Sequence, residues 1–333
     1  MKNSVKKPVG DQPIASAREI RRIDPVWSPG PVPKRFWEVA ENRRNYVLWL
    51  SHKLGCRKMK HLYRLSYGDA ARNHGAGVAT NYWRASIIVG IIECFPDFDW
   101  QEWLFRQNLK SFWKDKRNQR RYMQWLAQQL QISIPEGWYR ATTDDFERFR
   151  GASFLVGFYR DSVSRAVKAY LPDYDWKEWL FNQTPKNFWK SRDNRTRYMR
   201  WLAEVLGIAQ PDDWYRVTCK DFFRHSGREL LKLYGNSTAM AVMDLIPRQD
   251  WCEWRFHCVP GGFWRKAENR RRYMQWLGKQ LNFRRAEDWL RVRRRHFTDH
   301  CGGGLLAEFD SHVRLLREYL PQLDYNSFRT RRN

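Results

Sequence analysis

The chain has 333 residues, with 61 Lys or Arg against 36 Asp or Glu, giving a net charge of +25 and an isoelectric point near 10.1. Aromatic residues make up 16%, with 19 Trp, yet mean hydropathy is −0.79, which fits several small aromatic cores under a polar surface and excludes one large aliphatic core. Such a charge points to a polyanionic partner, nucleic acid first, and no apolar run approaches the ~20 residues of a membrane span, so no membrane partner is expected.

Residues 1–35 form a basic, Pro-rich arm. Lys2, Lys6, Lys7 and Asp11 interrupt any secretory apolar region, and Pro29, Pro31 and Pro33 forbid a helix before the first repeated block. A short basic helix is expected over residues 14–23.

From residue 36 the sequence is periodic. Phe36-Trp37, Phe112-Trp113, Phe188-Trp189 and Phe263-Trp264 lie 76, 76 and 75 residues apart, and Asn42, Asn118, Asn194 and Asn269 follow at one offset. Gly75, Gly151, Gly227 and Gly302 keep register, as do Pro96, Pro172, Pro247 and Pro321, each with an aromatic four residues on. This marks a tandem array of four ~75-residue units, each large enough for a small helical core that leans on its neighbours. The expected units are 36–111, 112–187, 188–262 and 263–333, the last with a basic tail holding Arg329, Arg331 and Arg332. The net charges of 1–111, 112–187, 188–262 and 263–333 are +9, +4, +3 and +9, so the ends should grip a polyanion harder than the middle.

Within each unit the clearest element is a first helix. Tyr122, Trp125, Leu126 and Leu130 fall at i, i+3, i+4 and i+8, one face of an amphipathic helix, and Tyr198/Trp201/Leu202/Leu206 and Tyr273/Trp276/Leu277/Leu281 repeat it. Just ahead of or at the start of this stripe come Arg43 and Arg44, Arg120 and Arg121, Arg195 and Arg197, and Arg270, Arg271 and Arg272. Read as first-turn residues, these cations oppose the helix macrodipole, and recurrence of a locally unfavourable choice points to phosphate binding. The competing reading is a solvated face whose arginine stems cover Trp rings. A second helix is expected after the Thr218/Asp221 cap, a tight turn at Gly151, Gly227 or Gly302, a third helix carrying Leu230, Leu231 and Tyr234, and a fourth capped by Ser162 or Ser237 and stopped by Pro172 or Pro247. Two short helices joined by a glycine turn make a helix-turn-helix candidate.

The run Val217-Thr218, Asp221-Phe222, Gly227, Leu231, Tyr234-Gly235, Ser237 and Pro247 resembles the homeodomain-like repeat found beside homing-endonuclease domains. The resemblance covers about 30 residues of each unit and implies a small DNA-binding helix-turn-helix. Repeat one departs from it at Ser66 and Asp69-Ala70, repeat two at Tyr159 and repeat four at His296-Phe297. The outward basic residues of the third helix are few, Arg228 and Lys232 in repeat three and Arg160 in repeat two, where base reading draws on Arg, Asn or Gln. Phosphate-dominated binding is therefore expected over sequence-specific reading.

No nuclease grouping, phosphate-cradling Gly-Lys loop or cofactor motif occurs. The six cysteines hold no shared repeat position and no Cys-x-x-Cys pair, so neither a disulfide framework nor a metal site is expected. The acids Asp99/Glu102, Asp175/Glu178 and Asp250/Glu253 are read as a cap and first-turn support of a short helix between two structural Trp residues. The expectation is a non-enzymatic, all-α protein with no cofactor and no small-molecule substrate. It binds nucleic acid, DNA in the first place, through the arginines named above, Arg228, Lys232 and the Arg293, Arg294 and Arg295 cluster. A structural RNA-binding subunit of a ribonucleoprotein such as an organellar ribosome, or a repeat scaffold for proteins, are the alternatives. The expected location is intracellular, in the nucleus or in an organelle nucleoid or ribosome.

Overall fold

The structure is a computed structural model that describes residues 11–28, 30–106, 111–247 and 250–325. Those residues are helical, with no strand among them. They form two compact units, one running to Trp176 and including Phe181–Gln183, the other comprising Lys177–Leu180 and the chain from Thr184. Each unit holds two separate hydrophobic clusters: Tyr46 and Tyr122 centre those of the first, Tyr198 and Tyr273 those of the second. The Arg329, Arg331 and Arg332 tail lies outside the described residues.

In the arm a short helix spans Ala17–Arg21, capped by the Ser16 hydroxyl, and Trp27 is buried against Trp37, Tyr46 and Trp49. Each repeat then opens on a three-residue 3-10 turn, as at Phe36–Glu38 and Phe263–Arg265. The residue before it takes the left-handed conformation, at Arg35, Ser111, Asn187 and Gly262, and only the last repeat uses the residue that does so without cost. The long helices follow at Ala40–Lys53, Lys116–Gln129, Arg192–Leu206 and Ala267–Gln280. They begin two residues ahead of the repeated Asn, so the arginines expected in the first turn stand at the fourth to sixth helical positions. There the dipole term has largely fallen away, and the premise that these cations are locally unfavourable does not hold.

Tyr46, Tyr122, Tyr198 and Tyr273 of the long helices are fully buried. Their hydroxyls explain the repeated glycine. An added Cβ would lie 1.9 Å from the Tyr46 hydroxyl at Gly75, 2.0 Å from Tyr122 at Gly151, 2.2 Å from Tyr198 at Gly227 and 2.1 Å from Tyr273 at Gly302. These glycines have φ between −90° and −99°, which any residue adopts. The positive φ of the turn falls one residue earlier, at His74, Arg150, Ser226 and Cys301. The glycine is therefore required by the tyrosine and not, as expected from sequence, by the turn.

The second helices, Tyr67–Arg72, Thr143–Arg148 and Cys219–Arg224, start in capping boxes. The Ser66, Thr142 and Thr218 hydroxyls and backbone N–H groups all donate to Asp69, Asp145 and Asp221, the reciprocal arrangement that satisfies helix-start donors. In the fourth repeat, Arg294–Asp299 has His296 at that place, and its Nδ1 accepts from the Arg293 N–H at 3.2 Å. The third helices are Ala76–Tyr82, Ala152–Tyr159, Arg228–Lys232 and Gly303–Ala307, and the fourth are Ile87–Cys94, Val163–Tyr170, Thr238–Leu245 and His312–Tyr319. The indoles of Trp100, Trp176 and Trp251 donate to the terminal carbonyls of the fourth helices, at Phe95, Leu171 and Ile246, satisfying groups that a helix end leaves open.

The paired tryptophans are divided between clusters. Trp100, Trp176 and Trp251 pack with Phe105, Phe181 and Phe256 in the cluster of the helices before them, while Trp103, Trp179 and Trp254 pack on Tyr122, Tyr198 and Tyr273 of the helices after them. Cores laid down one after another in this way share a covalent stitch of three residues. No helix among the described residues is long and apolar enough to cross a membrane.

Candidate nucleic-acid interface

The fourteen cations singled out in the sequence divide into groups by helical position. At the fourth position of the long helix, Arg43 donates to the Trp37 and Glu38 carbonyls at 2.6 and 3.0 Å, Arg195 to those of Trp189 and Lys190 at 2.8 and 3.0 Å, and Arg270 to those of Trp264 and Arg265 at 3.0 and 2.7 Å. The preceding Asn42, Asn194 and Asn269 donate to the Phe36, Phe188 and Phe263 carbonyls. Asn and Arg together thus bond the three successive carbonyls of the 3-10 turn. Arg43 and Arg270 also reach Glu93 and Glu318 on the fourth helices at 2.7 Å, and their side chains are only 14% and 17% exposed.

At the sixth position, Arg121 pairs with Glu102, Arg197 with Glu178 and Arg272 with Glu253. Each guanidinium lies 5.7 Å from the ring centre of the intervening Trp, Trp103, Trp179 or Trp254, a cation–π contact. The Glu253 carboxylate raises the Arg272 pKa still further. The acids of the Trp pair therefore serve mainly as anchors for these arginines. The short turns Glu102–Leu104 and Glu253–Arg255 take Gln101 and Cys252 at the N-cap, without a side-chain bond, where the sequence reading placed an Asp.

At the fifth position, Arg44 is paired with Glu19 at 2.7 Å, while Arg120 and Arg271 are exposed. Arg228 lies over Phe223 at 4.4 Å and Lys232 pairs with Glu229 at 2.6 Å. Arg293, Arg294 and Arg295 are exposed on the start of the second helix of the fourth repeat. The structure so brings nine of the fourteen onto intramolecular partners, six of them at the core-flanking turns, and leaves Arg120, Arg271 and Arg293–Arg295 turned to solvent.

Comparison with protein-family models, with curated proteins and with solved structures finds no match to this chain.

The outer face of the third helices carries Val156 and Phe158 in repeat two and is followed by Leu233 in repeat three, all exposed. These side chains offer no hydrogen bonds to base edges. Among the described residues no three His, Cys, Asp or Glu side chains converge; Cys252 is half-buried and Cys258 exposed, both as free thiols. One feature went unread in the sequence. At the fourth helical position repeat two has Gln119 in place of Arg, and a hollow lined by Lys116, Arg120, Tyr159 and Tyr170 lies beside it. The Arg-to-Gln change was visible in the aligned repeats, and Ala169 stands at the same offset as Glu93, but that the two places meet in the fold was not.

Proposed function

We propose that this protein is a non-enzymatic nucleic-acid-binding array that grips phosphates through the cations its fold does not consume. The observation that carries the reading is the charge: +25 over 333 residues, an excess of cations over acids that no internal pairing neutralises. Arg120, Arg271, Arg293, Arg294 and Arg295 are the contacts proposed, with Arg228 and Lys232 supplementing them in repeat three and the basic arm and tail adding grip. Apolar side chains on and beside the third helices favour recognition of backbone and shape over base reading. The helix-turn-helix resemblance would make duplex DNA the partner; a grip on phosphates alone also suits structured RNA within a ribonucleoprotein.

The test is binding of the purified protein to matched duplex DNA, single-stranded DNA and structured RNA across a salt series. Neutralising six to ten phosphates gives a log–log slope of roughly −0.9 per contact on duplex. Duplex preference at moderate salt supports the DNA reading, and preference for structured RNA supports the ribonucleoprotein reading. A slope near zero on all three overturns the mechanism.

A further inference from the structure

The four repeats provide an internal comparison at one site. The fourth residue of the long helix is Arg43, Gln119, Arg195 or Arg270, and the seventh residue of the fourth helix is Glu93, Ala169, Asp244 or Glu318. Repeats one and four join the two positions directly, Arg43 to Glu93 and Arg270 to Glu318. In repeat three Asp244 is held by Arg192 at 2.9 Å and by the Tyr234 hydroxyl at 2.6 Å. Repeat two has lost the cation and the acid together, and both replacements are shorter.

What remains there is a cavity of about 290 Å³, at the low end of the roughly 300–1,000 Å³ typical of small-molecule sites. It is lined by the buried apolar Met123, Phe154 and Ala166, by the exposed Ala169, and by Tyr159 and Tyr170. Two cations face it, Lys116 and Arg120, and no acid lines it. Lys116 Nζ sits 5.7 Å from the Tyr159 ring centre and donates to Gln119 Oε1 at 3.1 Å. Gln119 is 4% exposed and held at both ends of its amide: its Nε2 donates to the Trp113 carbonyl and its Oε1 also accepts from the Tyr159 hydroxyl at 2.8 Å. The wall is therefore held in place without a ligand, which limits the ordering cost of binding.

Aromatic walls with two unneutralised cations at the rim suit a flat ring bearing an anion. We propose that the cavity of repeat two binds a single nucleotide, its unpaired base among the tyrosines and its phosphate on Lys116 and Arg120. Aromatic side chains hold bases of any sequence by their ring faces, and the two cations supply charge-assisted hydrogen bonds to phosphate oxygens. The nucleotide comes either free in solution or as the end of a single strand. The site does not depend on the phosphate grip proposed above, because a free mononucleotide tests it.

The decisive variant is Q119R/A169E in the full chain, which installs the pair found in repeats one and four. It keeps the net charge at +25, so general attraction for phosphate is unchanged, and it fills the cavity with side chains that this fold already packs elsewhere. Titration calorimetry with AMP and UMP is expected to show binding to the natural protein, at least tenfold weaker binding of adenosine and of inorganic phosphate, and at least tenfold weaker AMP binding to Q119R/A169E with an unchanged or raised melting temperature. K116Q/R120Q should weaken AMP by tenfold or more while leaving adenosine within twofold. A 5′-phosphorylated single strand that displaces AMP identifies strand ends as the source; a strand that does not displace it assigns the site to free nucleotides. Absence of AMP binding to the natural protein, or equal binding to a folded Q119R/A169E, overturns the proposal. The salt slope on long nucleic acid should be the same for both proteins, which separates this site from the surface grip.

Discussion

Replacing Arg270 by Ala separates arginines that hold the fold from arginines free to bind. In the structure the guanidinium spans the Trp264 and Arg265 carbonyls at 3.0 and 2.7 Å and Glu318 at 2.7 Å, with 17% of the side chain exposed. Hydrogen bonds to a charged group contribute about 1.5–3 kcal/mol each, and acceptors left unpaired add a desolvation cost. Glu318 is half exposed, so its share is screened and small. A loss of about 2–4 kcal/mol is expected for the fourth repeat, a large part of the 5–15 kcal/mol typical of a whole domain. Arg270→Lys should lose about half as much, because an ammonium keeps the charge but cannot bridge two carbonyls and a carboxylate in one plane. Arg271→Ala, exposed one residue further on, should stay within about 0.5 kcal/mol yet make the duplex salt slope shallower by roughly 0.9. Urea unfolding followed by Trp fluorescence, and binding over a salt series, read the two effects. If Arg270→Ala leaves the unfolding midpoint unmoved while Arg271→Ala shifts it, the division between structural and free arginines is refuted.

Three further outcomes follow from the same contacts. Gly227→Ala should destabilise by about 1–3 kcal/mol or more, since the new methyl meets the Tyr198 hydroxyl at 2.2 Å; Gly261→Ala, with nothing within 4 Å, is the neutral control in a thermal melt, and equal shifts would contradict the tyrosine explanation. The start of the second helix should be acid-sensitive at different pH in different repeats. Desolvation first, and then the neighbouring Arg295, lowers the His296 pKa, so the unfolded chain binds the proton more readily, and the stability of this helix start is present above about pH 6.5 and lost as pH falls through that range. The Ser66 hydroxyl, opposed by desolvation and helped by its N–H, holds the Asp69 carboxyl below its ordinary range, so that repeat keeps its cap until pH falls below about 4. From pH 7.5 to 5, hydrogen-exchange protection relative to the intrinsic rate at each pH should fall over residues 293–299 and hold over residues 66–72, and His296→Asp should abolish the difference. Thr218→Ala should cost roughly 1 kcal/mol through loss of the cap, measured as a shift in the denaturation midpoint; no shift would mean that the box contributes nothing in repeat three.

The sequence by itself determined the helical class of this protein and the spacing of its recurrent aromatic residues. Helical spacing of Tyr198, Trp201, Leu202 and Leu206 fixes an amphipathic helix without reference to any partner, and the Thr218/Asp221 box marks a helix start, because both depend only on residues within a few positions of each other. Only the tertiary structure decided what the recurrent charged and special residues do. An arginine three residues into a helix reads as solvent-facing until the Phe-Trp turn folds back and presents its carbonyls. A glycine reads as a turn residue until a tyrosine from a helix some 29 residues earlier is seen lying on it. The cavity of repeat two was hidden for the same reason: Gln119 and Ala169 are 50 residues apart, and a missing ion pair leaves no mark on the sequence until folding brings its two places together.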